Sequence, residues 1–421
     1  MNQSSAEQTT YELQLATWAY GGDVMGRLPD GRAVFVPYAL PGEEVRIRLT
    51  EEKAHYARGE IVTLITPAED RVAPRCPFYG RCGGCHYQHV AYATQLAAKA
   101  AIVSDQLSRI GGFVDPPVSA TVPSPQPWAY RNHIQLHLTP EGRLGFRAPR
   151  SERVIPVEDC LLAAQPLREL LGTLAFEPES GIERVHLRVG ANDELLLWLR
   201  GRTPKPPAFA VDFPLSAVYT NPWGEAFVLA GRGFLVMSAL GKHFRVSAPS
   251  FFQVNVPVAE ALIRELLDNL PLTPQTTLLE LYSGVGLFSA FLAPKVGALI
   301  AVESSPTACY DFEINLDAYD HVALYEAPVE ETLPYLHQTG LRPDIVVLDP
   351  PRSGLPRAAL DALVALAPHT IAYVSCDPAT LARDGKRLAR QGYRLRRITP
   401  FDMFPQTYHI ETLSFWERIS R

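Results

Sequence analysis

Hydrophobic and polar positions follow three patterns along the chain, and each predicts a different kind of element. From residue 11 to 66 they alternate, as in Ala33-Val-Phe-Val-Pro37 and Glu44-Val-Arg-Ile-Arg-Leu49, the period of two that turns every second side chain to one face of a strand. Gly, Pro and Asp turns interrupt these stretches at short intervals, so the spacing predicts a small all-β barrel of OB type over residues 8–67. Residues 90–110 change to helical spacing. From about 118 to 246, strands such as 133–138 and 194–199 mix with proline-rich breaks at 204–207, which predicts a central α+β domain within residues 68–248. Beyond residue 257 short continuous apolar runs at 277–281, 299–302, 345–348 and 371–374 alternate with helical stretches at 259–267 and 286–292. Continuous apolar strands are those covered on both faces, so residues 249–421 are expected to form a Rossmann-like α/β domain, with the helix at 90–112 packed on it. Ligands of such sheets sit at the carboxyl ends of the strands, which places Glu280, Glu303, Asp349, Ser375 and Cys376 on one rim.

Composition narrows the class. At 421 residues with 47% hydrophobic and 20% charged residues the chain is globular and too long for one core. No apolar run approaches the ~20 residues that span a bilayer, and residues 1–6 lack the basic and apolar parts of a secretory leader, so a cytoplasmic protein without a membrane partner is expected. A formal net charge of −6 argues mildly against nucleic acid. Basic residues nevertheless gather at 71–81, 143–153 and 383–397, which leaves room for local phosphate tracks. Of six cysteines, Cys76, Cys82 and Cys85 crowd into one stretch, which in a reducing compartment points to metal rather than disulfide.

Two constellations carry chemistry. Glu280-Leu-Tyr-Ser-Gly-Val-Gly286 joins a buried strand to a helix, and Gly284 and Gly286 let the backbone approach a ligand closely. Glu303, about twenty residues on, is placed to bind both hydroxyls of a ribose. An acid on a ribose serves NAD and S-adenosylmethionine alike; Asp349-Pro-Pro-Arg352, which resembles the Asp/Asn-Pro-Pro motif of nucleic-acid methyltransferases, favours the methyl donor. The second constellation is a thiol, Cys376 in Val374-Ser-Cys-Asp-Pro378, and a carboxylate, Glu411, in the apolar and aromatic stretch Phe404-Pro-Gln-Thr-Tyr-His-Ile-Glu411. Carbon 5 of uracil is a poor nucleophile, and methylating it needs a thiolate to add at carbon 6 and a base to remove the carbon-5 proton afterwards.

The ordered set formed by Phe251-Phe-Gln-Val-Asn255, Leu279-Glu-Leu-Tyr-Ser-Gly-Val-Gly286, Ala301-Val-Glu303, Leu348-Asp-Pro-Pro-Arg352, Val374-Ser-Cys-Asp-Pro378 and residues 404–411 resembles the RNA 5-methyluridine methyltransferase family, in particular its bacterial 23S rRNA enzymes. The N-terminal order Tyr20-Gly-Gly-Asp-Val-Met-Gly26, Pro41-Gly-Glu-Glu-Val45 and Gly59-Glu-Ile-Val62 resembles the TRAM domain, an RNA-binding barrel. The resemblance implies that Gln253, Tyr282, Glu303 and Asp349 contact S-adenosylmethionine, that Cys376 is the nucleophile and Glu411 the base. Leu287 departs from it, standing where some relatives carry asparagine. Cys76, Cys82, Cys85 and the later Cys160 supply four thiolates, which suit tetrahedral zinc, with His86 or His89 able to replace one, or a [4Fe-4S] cluster. Similarity to the rRNA enzymes implies the cluster. Tyr130-Arg-Asn-His133 resembles a substrate-facing segment, so Arg131, together with Phe251 and Arg352, is assigned to the RNA; Phe251 would stack on a base or fill the gap left by a flipped one, or pack in the core. A monomer acting on 23S rRNA is expected, with tRNA as the alternative substrate. A small-molecule methyltransferase would work without structured RNA. An assembly factor with a dead methyltransferase domain would lack donor or catalytic residues, whereas Cys376, Glu411, Asp349 and Glu303 are all present.

Overall fold

The computed structural model describes residues 9–211 and 213–419. The leader reading at residues 1–6, the first residue of the expected barrel and the last two of the α/β domain lie outside the described residues.

Five strands close the N-terminal barrel: β1 (Thr10–Trp18), β2 (Asp23–Arg27), β3 (Ala33–Pro37), β4 (Glu44–Glu52) and β5 (Tyr56–Thr66). Their order is β1-β2-β3-β5-β4, with β4 returning to β1. Only β3 and β5 run parallel. The alternation read from sequence fills the inside with Leu15, Val24, Val34, Val36, Val45 and Ile47. After the cysteine segment comes α1 (Tyr92–Gln106), prolonged by a π turn over Leu107–Gly111. Its Ile102, Val103 and Leu107 share a core with Leu279, Leu348 and Tyr373, so the helix packs on the C-terminal domain.

The central domain is one seven-stranded sheet built from β6 (His133–Leu138), β7 (Leu144–Arg147), β8 (Val154–Pro156), β9 (Ile182–Val189), β10 (Leu195–Gly201), β11 (Ser216–Thr220) and β12 (Ala226–Ala230), in the order β12-β11-β10-β9-β6-β7-β8. Helix α2 (Gln165–Thr173) lays Leu167, Leu170 and Leu171 on it, against Leu136 and Val185. The hairpin β13 (Phe234–Ala239) and β14 (Lys242–Ser247) departs from the pattern boundary at 249. Its Met237 and Phe244 sit in the same core as Leu262 and Phe291, so the C-terminal unit begins ahead of that boundary.

The C-terminal domain runs α3 (Val256–Asn269), β15 (Thr277–Leu281), α4 (Ser289–Leu292), β16 (Ala298–Glu303), α5 (Pro306–Asn315), β17 (Val322–Glu326), α6 (Val329–Gln338), β18 (Ile345–Leu348), α7 (Arg357–Ala365), β19 (Thr370–Ser375), α8 (Pro378–Arg390), β20 (Tyr393–Phe401) and β21 (Glu411–Arg418). The sheet order is β17-β16-β15-β18-β19-β21-β20. The first five strands are parallel. β21 inserts antiparallel between β19 and β20. An antiparallel strand begins at the edge where its parallel neighbours end, so the first residue of β21 joins the ligand-binding rim. Among the described residues no helix is long and apolar enough to cross a membrane.

Candidate active site

The loop after β15 is shaped by three left-handed residues, Tyr282 (φ 61°), Gly284 (φ 55°) and Gly286 (φ 86°). A Cβ on Gly286 would lie 2.4 Å from Leu316 Cδ2, so this glycine lets the loop seat against α5. Gly284 serves differently: its amide donates to Glu303 Oε2 at 2.9 Å, while the amides of Ser304 and Ser305 donate to Oε1 at 2.8 Å. Glu303 thereby ties the end of β16 to the glycine loop and keeps lone-pair capacity for a ligand hydroxyl. Tyr282 pays for its backbone angle, a strain of about 1–3 kcal/mol that persists where surrounding structure enforces it. Phe251, Gln253, Tyr282, Gly284, Leu287 and Asp349 line one cavity of about 50 Å³. The two phenylalanines divide their work: Phe252 is 6% exposed and belongs to the core, whereas Phe251 is 60% exposed at the cavity's lip.

Asp349 follows β18, where Pro350 and Pro351 remove the amides that would prolong the strand. Cys376 lies between the end of β19 and Asp377, whose Oδ1 caps α8 by accepting from the amides of Ala379 at 3.0 Å and Thr380 at 2.9 Å. Asp at the cap and Pro378 at the first helical position fix the turn that presents the thiol. Glu411 opens β21, opposite Phe401 and one step from the Ser375–Thr412 pair, which brings it beside Cys376. It is 4% exposed, and its Oε1 has no hydrogen-bond partner among the described residues. Burial, reinforced by Asp349, holds the Glu411 carboxyl well above its ordinary range, and Arg352 pulls it partly back. Burial also raises Asp349 to about 7. The Cys376 thiol is pushed up to about 12 by burial and then by the Glu411 and Asp349 carboxylates, against the pull of Arg352. At rest the thiol keeps its proton, and an arriving positive charge would shift all three groups toward ionisation.

The exposed Arg352 lies 3.2 Å from His409 Nδ1 through its Nη2. Burial, aided by Arg352, lowers His409 to about 2, so the imidazole is neutral and can accept that bond. Both residues border a cavity of about 440 Å³ whose other walls include Tyr38 from the barrel, His86 from the cysteine segment and Arg150 from the central domain. Tyr20 of the barrel donates to Asp377 Oδ2 at 3.0 Å, one residue from Cys376. Sequence reasoning missed this contact. The Tyr20-Gly-Gly turn is visible in the chain, but nothing local indicates that its hydroxyl meets a helix cap 357 positions away.

Cys76, Cys82, Cys85 and Cys160 line a second cavity, of about 70 Å³, together with Arg131. Among the described residues no group of three His, Cys, Asp or Glu side chains is arranged to hold a single metal ion. The donors remain four thiols from two distant segments around one space. His86 and His89 lie outside its lining; His89 Nδ1 pairs with Tyr79 Oη at 2.5 Å instead. Arg131, Phe251 and Arg352, all expected on the RNA, line three different cavities: the cysteine cavity, the glycine-loop cavity and the one beside His409. Cys309 is buried on α5.

The family model for tRNA (Uracil-5-)-methyltransferase matches residues 234–419, and the model for the TRAM domain matches residues 8–62. An uncharacterized RNA methyltransferase of Streptomyces avermitilis is 34% identical over 97% of this chain and 98% of its own length. One from Thermotoga maritima is 32% identical over 95% of this chain and 97% of its own. Among solved structures, the tRNA (uracil-54, C5)-methyltransferase of Pyrococcus abyssi in complex with S-adenosyl-L-homocysteine superimposes with a TM-score of 0.73 at 24% identity, covering 97% of this chain and all of that one, a likeness of fold.

Proposed function

From its membership of the RNA uracil-5 methyltransferase family, to which this chain belongs, we propose that the protein methylates carbon 5 of a uridine in 23S rRNA by way of a covalent Cys376 adduct. It is a methyltransferase dependent on S-adenosylmethionine. The observation that carries the mechanistic reading is the convergence of Asp349, Cys376 and Glu411 on the rim beside the glycine-loop cavity. S-adenosylmethionine supplies an electrophilic methyl group and a positive charge; Gln253, Tyr282, Glu303 and Asp349 would hold it. Cys376 releases its proton to solvent and adds as the thiolate, through Sγ, to carbon 6 of the uracil, which leaves electron density on carbon 5. Carbon 5 takes the methyl group, leaving S-adenosylhomocysteine; Glu411, as the ionised carboxylate, then removes the remaining carbon-5 proton, and the carbon 6–sulfur bond breaks to expel the Cys376 thiolate, which takes a proton back from solvent. Arg352 stabilises both the thiolate and the Glu411 carboxylate. The Glu411 carboxyl is buried with its Oε1 unpartnered among the described residues, which supports its use as the base.

The donor set of Cys76, Cys82, Cys85 and Cys160 fits a [4Fe-4S] cluster: four thiols, the ligand number such a cluster takes, face one cavity with apolar walls. These residues would hold it, in a positioning role, since methyl transfer needs no electron from it. Reading the substrate as rRNA is supported by this cysteine pattern joined to the barrel. The same chemistry on tRNA is the second reading, favoured by the name of the family model.

Complementation of a deletion strain tests the proposal. The wild-type chain should restore 5-methyluridine in 23S rRNA, Cys376→Ala should not, and Glu411→Gln should trap methylated RNA on the protein in a band that resists denaturation. Restoration in tRNA alone would move the substrate to tRNA, and an adduct formed by Cys376→Ala would remove that residue as nucleophile.

A further inference from the structure

Arg131 is a cation without an anion. Its guanidinium lines the cysteine cavity, whose other walls are largely apolar and include Ile134, Phe146 and Val157. Its one side-chain hydrogen bond runs from Nε to Tyr130 Oη at 3.2 Å, and the guanidinium carbon stands 5.7 Å from that ring's centroid. No carboxylate comes within ion-pair distance of it among the described residues. The acid in the cavity wall, Asp159, is already held by Arg168 at 2.7 Å through two bonds. The backbone leaves Arg131 little freedom to turn elsewhere: its amide donates to Leu162 O at 2.9 Å and its carbonyl accepts from Ala164 at 2.9 Å, which fastens it to the loop that carries Cys160.

Arg131 is part-buried, so its guanidinium is partly desolvated, a cost that an anion would offset, and among the described residues four of its five N–H donors have no protein acceptor. The groups facing it are thiols. Four thiolates around an oxidised cubane outweigh the charge of the metal–sulfide core, so the occupied site is an anion that matches this cation in place and sign. We propose that Arg131 is the counter-ion of the cysteine-bound cluster, donating N–H bonds to its sulfurs and stabilising its reduced state, rather than an RNA contact. The proposal rests on reading the four cysteines as a [4Fe-4S] site. Charge and hydrogen bonds close to the sulfurs are what tune such clusters. Tyr130 extends the connection, since the hydroxyl that accepts from Arg131 donates to Pro405 O at 3.2 Å in the loop before Glu411.

The test compares anaerobically purified wild type, Arg131→Gln and Arg131→Lys. Gln removes the charge and keeps N–H donors, whereas Lys keeps the charge. Iron per chain, the midpoint potential of the cluster absorbance and its rate of bleaching in air are measured on each. Arg131→Gln should have a more negative potential and bleach severalfold faster, with Arg131→Lys close to wild type. If Arg131→Gln does not accumulate as folded protein, Arg131→Lys still decides: a potential clearly more negative than wild type, in spite of the retained charge, overturns the proposal. Unchanged potential and bleaching in Arg131→Gln overturn it as well, and so does a loss of RNA affinity with the cluster unaltered. Wild-type protein carrying zinc and no iron overturns the cluster reading itself, and the proposal with it.

Discussion

Glu280 carries a proton that its position alone imposes. It sits in β15 with Oε1 unpartnered, and Ser289 Oγ donates to its other oxygen. Burial is the main cause that raises it to about 8. Between the ordinary carboxyl value, about 4.3, and 8 the folded chain therefore binds a proton that the unfolded chain has released. Stability contributed by this group is full below that range and falls as pH rises through it, by up to about 1.4 kcal/mol per pH unit. Glu280→Gln keeps the acceptor for Ser289 and has nothing to titrate, so its urea midpoint should fall less steeply from pH 5 to 8 than that of the wild type. Parallel slopes would show that Glu280 is ionised in the folded chain. At this scale the sequence was informative where chemistry is local. Cys376 and Glu411 are marked by their motifs, and so are the glycines, whereas the protonation of Glu280 and the direction of Arg131 depend on neighbours remote in the chain.

Among elements, α1 has the most consequential seat. Lys99 Nζ donates to Asp402 Oδ1 at 2.5 Å and to Phe404 O at 3.1 Å, and both side chains of the pair are fully buried. Tyr92 Oη adds a bond to Asp402 Oδ2 at 2.7 Å. Helix and cysteine segment together hold the loop 402–410 that delivers Glu411, because the amides of His86 and Tyr87 both donate to Gln406 O. Lys99→Met would strand the Asp402 charge, and such losses run to about 3–5 kcal/mol. Denaturant titration should show that fall, and methylation should decline with it as the loop loosens; a change below 1 kcal/mol would mean that Asp402 is satisfied without Lys99. Element boundaries followed the physics of burial. Strands at 277–281 and 345–348 match the apolar runs residue for residue, since covered strands need apolar side chains on both faces. The helix read at 286–292 begins only at Ser289, because the left-handed glycines hold the preceding residues in a turn. The antiparallel course of β21 had no signature, as hydrophobicity encodes burial and not direction.

In the whole molecule Tyr20 ties the barrel to the loop that carries Cys376. Tyr20→Phe removes the bond to Asp377 and leaves the ring against Tyr408, so the chain should lose about 0.5–1.5 kcal/mol. Scanning calorimetry should record the loss with donor affinity unchanged. A drop in donor affinity would show that the barrel shapes the glycine-loop cavity as well. The N-terminal barrel and the C-terminal α/β sheet were legible because each has its own hydrophobic period; their mutual placement was not, since it rests on contacts such as this one and Lys99 with Asp402.

The insertion of β21 between β19 and β20 also sets an order of events on the ribosome. Asp349 and Cys376 emerge with β18 and β19, and β20 follows, yet its seat in the sheet is beside a strand still to be made. Until β21 arrives, β19 presents an open edge and β20 has no partner, the kind of exposure that invites pairing with other nascent chains. The strand that closes the edge carries Glu411 as its first residue, so under the proposed mechanism the nascent domain holds its thiol before its base and could turn over only when the sheet is sealed.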